Sequence, residues 1–176
     1  MIDFTRDHFA LFDLPRRYRI DGAGLDRRYR ALQAEVHPDR HAAGGDAARR
    51  LALQASSRVN EAYATLRDPA GRGEYLLGLL GIESLAQTDT AMPPDFLIEQ
   101  MERREAIEEA NAAGDHAGLE HALSEIAGER RALDEEIAAA LDDRSALAEA
   151  RVAVRKLRFL DRVKTEITDA LIAIEA

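Results

Sequence analysis

A proline interrupts an otherwise helical pattern, and this break constrains the fold of the 176-residue chain more than any other feature. Leu25, Tyr29, Leu32 and Val36 recur at spacings of four, three and four, the apolar stripe of an amphipathic helix. Ala48, Leu51, Ala55, Val59, Ala62 and Leu66 form a second stripe. Between the two stands His37-Pro38-Asp39. The proline ring disfavours helical dihedrals at His37 and brings no backbone N–H, so the first helix must stop there. The pattern predicts a helical hairpin that displays His37 and Asp39 on its connecting loop. That tripeptide fits either a polar recognition tip or an ordinary helix-stopping loop.

Composition narrows the rest. Hydrophobic residues make up 46% of the chain, enough for a core, but aromatics only 5%, with no Trp. That balance favours helices over a sandwich or barrel, where β-branched and aromatic residues are enriched. There is no cysteine, which excludes disulfides, thiolate metal sites and cysteine nucleophiles. Met1-Ile2-Asp3-Phe4-Thr5-Arg6-Asp7 lacks the basic-then-apolar pattern of a secretory leader. No apolar run approaches the roughly 20 residues of a membrane span, so a cytoplasmic protein with no membrane partner is expected. The net charge of −9 is unevenly placed. Residues 1–80 hold 13 Lys/Arg against 11 Asp/Glu, whereas residues 81–176 hold 11 against 22. Such asymmetry predicts two modules with different partners. The acidic half argues against nucleic acid, whose phosphates need Lys and Arg.

Catalytic signatures are missing. Gly-x-x-x-x-Gly-Lys and a Gly-x-Ser-x-Gly setting are both absent. His37 and His41 are four apart but separated by Pro38, so they do not share a regular helical face. None of the five histidines has the Glu three positions earlier that di-iron bundles use. The chain is expected to be no enzyme and to hold no metal or other cofactor.

Three stretches organise the sequence. Residues 1–80 carry a short first helix starting near Thr5, a second helix capped by Asp21, the His37–Gly45 loop, a third helix to Arg67, and a fourth short helix. Residues 81–94, rich in Gly, Ser, Thr and Pro, read as a linker. Residues 95–176 carry three helices: Asp95–Ala113, one starting at Asp115, and Ser145–Ile174, with a turn at Asp142-Asp143-Arg144. Their short connections predict an antiparallel bundle.

The first bundle helix has two apolar strips. At 100° per residue, Leu97, Ile98, Met101, Glu102, Glu105 and Glu109 share an arc of roughly 140°. Phe96, Ile107 and Ala110 lie on another. Phe159 likewise falls off the main stripe of the last helix. Either a small bundle buries both strips, or one strip is an exposed apolar–acidic docking face.

The first 80 residues resemble the J-domain, the module that docks on DnaK-class chaperones and stimulates their ATPase. The resemblance rests on His8-Phe9-Ala10-Leu11-Phe12-Asp13-Leu14-Pro15, the basic Arg27, Arg28 and Arg30, the His37-Pro38-Asp39 loop, and Asn60-Glu61-Ala62-Tyr63 running to Leu66 and Asp68-Pro69. Arg40 and Val36 depart from the lysine and the aromatic common in that family. With the acidic bundle, nearly the whole chain resembles the HscB family of co-chaperones in iron–sulfur cluster biogenesis. The specific segments are Arg72-Gly73-Glu74-Tyr75-Leu76-Leu77, Phe96 to Glu105, and Arg155 to Asp161. The resemblance implies an all-α fold: a J-domain over 1–80, a linker over 81–94 and a scaffold-binding three-helix bundle over 95–176. It implies that His37, Pro38, Asp39, Arg27, Arg28 and Arg30 engage the chaperone HscA. It implies that Leu97, Ile98, Met101, Glu102, Glu105, Glu109 and Phe159 bind the cluster scaffold IscU. Two other functions fit the residues: a J-domain adaptor for a different client, and a helical structural protein with an accidental tripeptide.

Overall fold

Asp7, rather than the expected Thr5, opens the first helix, α1 (His8–Leu11). Its Oδ1 accepts from the Ala10 N–H at 2.9 Å, and its Oδ2 accepts from Arg16 Nε at 2.8 Å. Thr5 instead donates to the Asp3 carboxylate. Burial pulls the Asp7 pKa up, but the bonds from Ala10 and Arg16 outweigh it and hold the carboxyl below its ordinary value. The structure, a computed structural model, describes residues 3–37, 45–82 and 92–175. Its regular structure there is entirely helical, and contacts divide the chain into two compact units, Met1–Leu79 and Leu80–Ala176.

In the first unit, α2 (Gly22–Val36) and α3 (Gly45–Arg67) form the hairpin. Asp21 occupies the position before α2 but makes no capping bond, contrary to the sequence expectation. Its carboxylate meets Arg27 Nη2 at 3.3 Å instead. α2 stops as the proline requires, with His37 extended at ψ 127°. Leu25, Leu32 and Val36 of α2 and Ala55, Val59, Ala62 and Leu66 of α3 are buried. A stack of Tyr29 on Tyr63, centroids 3.9 Å apart, fixes the antiparallel register. Tyr29 donates to Asn60 Oδ1 and Tyr63 to Asp26 Oδ1, both at 2.9 Å.

Pro69 opens α4 (Pro69–Leu79) at a position where its missing N–H costs nothing. Asp68 Oδ2 accepts from the Gly71 N–H at 2.9 Å. α4 braces α1: the Tyr75 ring stacks on buried His8 at 4.1 Å and its hydroxyl accepts from the His8 N–H at 3.0 Å. Arg72, nearly buried, lies over the Tyr18 ring at 4.6 Å and donates to the Leu66 carbonyl at 2.7 Å.

The second unit is the antiparallel three-helix bundle. α5 (Pro94–Ala113) ends at Gly114, whose φ of 63° is left-handed and free of strain only for glycine. Gly114 and Asp115 N–H groups donate to the Asn111 and Ala110 carbonyls, closing the helix end. Asp115 then caps α6 (His116–Ala138), accepting from the Gly118 N–H at 3.0 Å. The expected turn at Asp142–Arg144 falls largely within a wide π-type turn, Ala139–Asp143, capped by Arg144. Ser145 has φ 54°, so α7 begins only at Leu147 and runs to Glu175, not from Ser145 as expected.

α6 buries Leu119, Ile126 and Leu133, seven residues apart, while α7 buries Ala150, Ala153, Leu157, Leu160 and Ile167. The sevenfold spacing on α6 and the three-and-four spacing on α7 are those of the apolar seam between paired helices. Ion pairs cross the seams: Arg130–Asp161 joins α6 to α7, and Arg103–Glu129 joins α5 to α6. Most of the 81–94 linker and of the loop after His37 lies outside the described residues.

Candidate functional site

α2 presents its basic residues unequally. Arg27 and Arg30 are exposed; Arg28 is half-buried, with Nη2 2.6 Å from Asp13 Oδ2. Asp13 has φ 55°, a conformation uncommon outside glycine. Arg28 thus ties α2 to the turn after α1. The Arg27–Asp21 pair is exposed on both sides, a type worth at most about 1 kcal/mol, so it yields easily to a partner. His37 is exposed at the end of α2. Pro38 and Asp39 lie outside the described residues.

The two strips of α5 separate. Phe96 and Gln100 are each 6% exposed, whereas Leu97 is 43%, Ile98 55% and Met101 65% exposed. Glu102, Glu105 and Glu109 are exposed beside them. Phe159 differs from the expectation of a free-standing anchor. It is half-buried, its ring edge-on to Phe96 at 5.7 Å and 80°. Lys156 Nζ lies 5.3 Å from the same Phe96 ring. Phe159 belongs partly to the core because Phe96 reaches across from α5 to meet it.

Two grooves flank α5. One, of about 370 Å³, runs between α5 and α7, with Ile107, Phe159 and Val163 in its walls. The other, of about 640 Å³, runs between α5 and α6, where Glu102 and Glu109 are joined by Glu99 and Glu125. Glu105 lines neither. Gln100, which the sequence reading passed over, lines the first groove. Its Oε1 accepts from Arg103 Nη1 at 2.7 Å, while its Nε2 is buried without a hydrogen-bond partner among the described residues. The signal was present: Gln100 stands four residues after Phe96 and seven before Ile107, a polar residue on the buried stripe.

A helical hairpin broken by His-Pro-Asp, braced by short helices and followed in the chain by an acidic three-helix bundle, defines a J-domain co-chaperone of two modules. Residues 92–168 match the family model described as the HSCB C-terminal oligomerisation domain. A co-chaperone protein HscB homolog of Paraburkholderia phymatum is 48% identical over 167 residues, 95% of each chain. Another, from an Azoarcus species, is 45% identical over 174 residues, 99% of this chain and 98% of its own. Among solved structures, chaperone HscB from Vibrio cholerae superposes with a TM-score of 0.84 at 35% identity, covering 96% of this chain and 99% of that one. Human co-chaperone protein HscB gives 0.87 at 34% identity, over 95% and 83%. The chain belongs to the HscB family of co-chaperones.

Proposed function

We propose that this co-chaperone delivers an IscU-type iron–sulfur scaffold protein to an HscA/DnaK-class chaperone and stimulates that chaperone's ATPase. The bundle holds the scaffold on the α5 strip. The first unit contacts the ATP-bound chaperone through His37, Pro38 and Asp39, with Arg27 and Arg30 drawing in an acidic surface and Arg28 shaping the turn beside them. Hydrolysis then lets the chaperone capture the scaffold for cluster transfer and the maturation of iron–sulfur proteins. The chaperone supplies the chemistry; this chain supplies binding and timing.

The observation that carries the reading is the strip itself. Leu97, Ile98 and Met101 are all exposed on one helix, although Phe96 on the opposite side is buried. Three adjacent large apolar side chains in water are unfavourable at about 25 cal/mol per Å² unless a partner covers them. Glu102, Glu105 and Glu109 suit a scaffold surface with basic residues and would set its register. The test is calorimetric titration with a purified scaffold protein, paired with steady-state ATPase of a purified HscA-class chaperone. Saturable scaffold binding and ATPase stimulation are expected. A folded protein that does neither overturns the proposal.

A further inference from the structure

We infer that the groove between α5 and α7 receives an apolar side chain of the scaffold protein, with Gln100 donating to a carbonyl of the same scaffold segment. The inference rests on the docking reading above and extends it from a strip to a strip with a pocket.

Continuity is the first argument. At 100° per residue, Arg104 and Glu108 on the groove's α5 edge point within roughly 20° of Leu97, while Met101 lies about 40° from it. The groove therefore begins beside the exposed strip, and Phe159, packed edge-on against Phe96, stands in its wall. Its walls are apolar, Ile107, Phe159 and Val163, and its rim carries charges of both signs, Arg104, Glu108, Arg162 and Glu166. An apolar centre within a polar rim is the anatomy of a protein interface. The volume of about 370 Å³ is at the lower end of the roughly 300–1,000 Å³ typical of ligand pockets. It suits a side chain or two rather than a whole helix.

Gln100 gives the second argument and the polarity of the missing group. Its acceptor is taken by Arg103, and its donor is buried and unmet. A buried donor without a partner is costly, so the group that completes it must be an acceptor, and a main-chain or amide carbonyl supplies one. A polar residue on the buried stripe is thereby explained as a specificity determinant.

Two variants test this by titration with a purified scaffold protein. Ala170→Trp fills the groove from its α7 wall. Gln100→Glu keeps the size and the acceptor for Arg103 but replaces the donor. Each should weaken scaffold binding at least tenfold while circular dichroism stays that of wild type. Leu97→Ala serves as the reference for the strip. If it binds weakly while either groove variant binds as wild type, the inference is overturned and the strip stands. If Leu97→Ala itself binds as wild type, the docking strip is wrong. A measurement on the unaltered protein guards against variants that do not fold. The methyl resonances of Ile107 and Val163 should shift when scaffold is added, and unmoved methyls overturn the inference. Sedimentation of the protein alone should show no groove-dependent self-association. Association lost in Ala170→Trp would assign the groove to a second copy instead.

Discussion

His8 and Asp39 place opposite demands on their surroundings. His8 is buried, its ring stacked on Tyr75 and its Nδ1 without a partner among the described residues. Burial lowers its pKa, and the nearby Arg58 charge lowers it further; Glu61 and Asp7 oppose this less. Because the folded value lies below the unfolded value of about 6.5, protonation favours unfolding. Its contribution to stability is complete above about pH 6.5 and is lost as pH falls from there through the folded value. Urea unfolding should thus show a midpoint that falls between pH 7 and pH 5, and His8→Phe should flatten that fall. Equal slopes for the two proteins would mean that His8 already has a proton or a partner. Asp39, on the proposed function, needs access to a chaperone cation instead. Asp39→Asn, like His37→Gln, should abolish ATPase stimulation without altering helicity, because a charge-assisted bond to a chaperone cation is about twice as strong as a neutral one. Full stimulation by the folded variant would remove the role. At this scale the sequence is only partly legible. The capping residue of α1 is Asp7 rather than Thr5 because Arg16, brought in by the turn after α1, adds to its hold. Helix propensity and capping pattern do not report such a partner.

Helices were more readable than their ends. The spacing of Leu25 to Val36, and the divergence of Leu97 and Met101 from Phe96, follow from the 3.6-residue period alone. α7 starts two residues later than the spacing predicts, because Ser145, just after the π-type turn, has left-handed backbone dihedrals that a helix cannot include. On α2, reversing the charge of Arg27 and Arg30 together should mainly slow association with the chaperone. The effect should fade with salt, as the Debye length falls to about 3 Å at 1 M. Stopped-flow rates that ignore both changes would exclude steering. On α5, Leu97→Ala with Met101→Ala should weaken scaffold binding strongly, since a single desolvated anchor can be worth about 2 kcal/mol. The same pair should barely shift the denaturation midpoint, because both side chains are exposed. Phe159→Ala should lower stability as well, by about 1–3 kcal/mol, less than the roughly 3–5 of a fully buried aromatic. Denaturation that treats all three alike would contradict the observed packing of Phe159 on Phe96.

For the molecule as a whole, the charge division was the clearest sign of two units, and contacts divide the chain close to where the charge changes. If each unit has its own partner, their defects should be separable in the full chain. Asp39→Asn should keep scaffold affinity, and Leu97→Ala with Met101→Ala should keep stimulation of the chaperone in the absence of scaffold. Cross-over of the two defects would show a shared surface. What composition could not reveal was how the bundle chooses its alignment, since Leu, Ile and Ala at alternating spacings of three and four tolerate a slip of α7 along α6. Arg130 and Asp161 do not tolerate it. They meet across that seam, both largely sheltered from water. A slip of one helical turn, about 5.4 Å, would separate two opposite charges that are both part-sheltered from water and forfeit their attraction. The pair thus acts as a key in a keyway: the greasy surfaces supply the grip, and a charge on each helix favours the notch at which they meet.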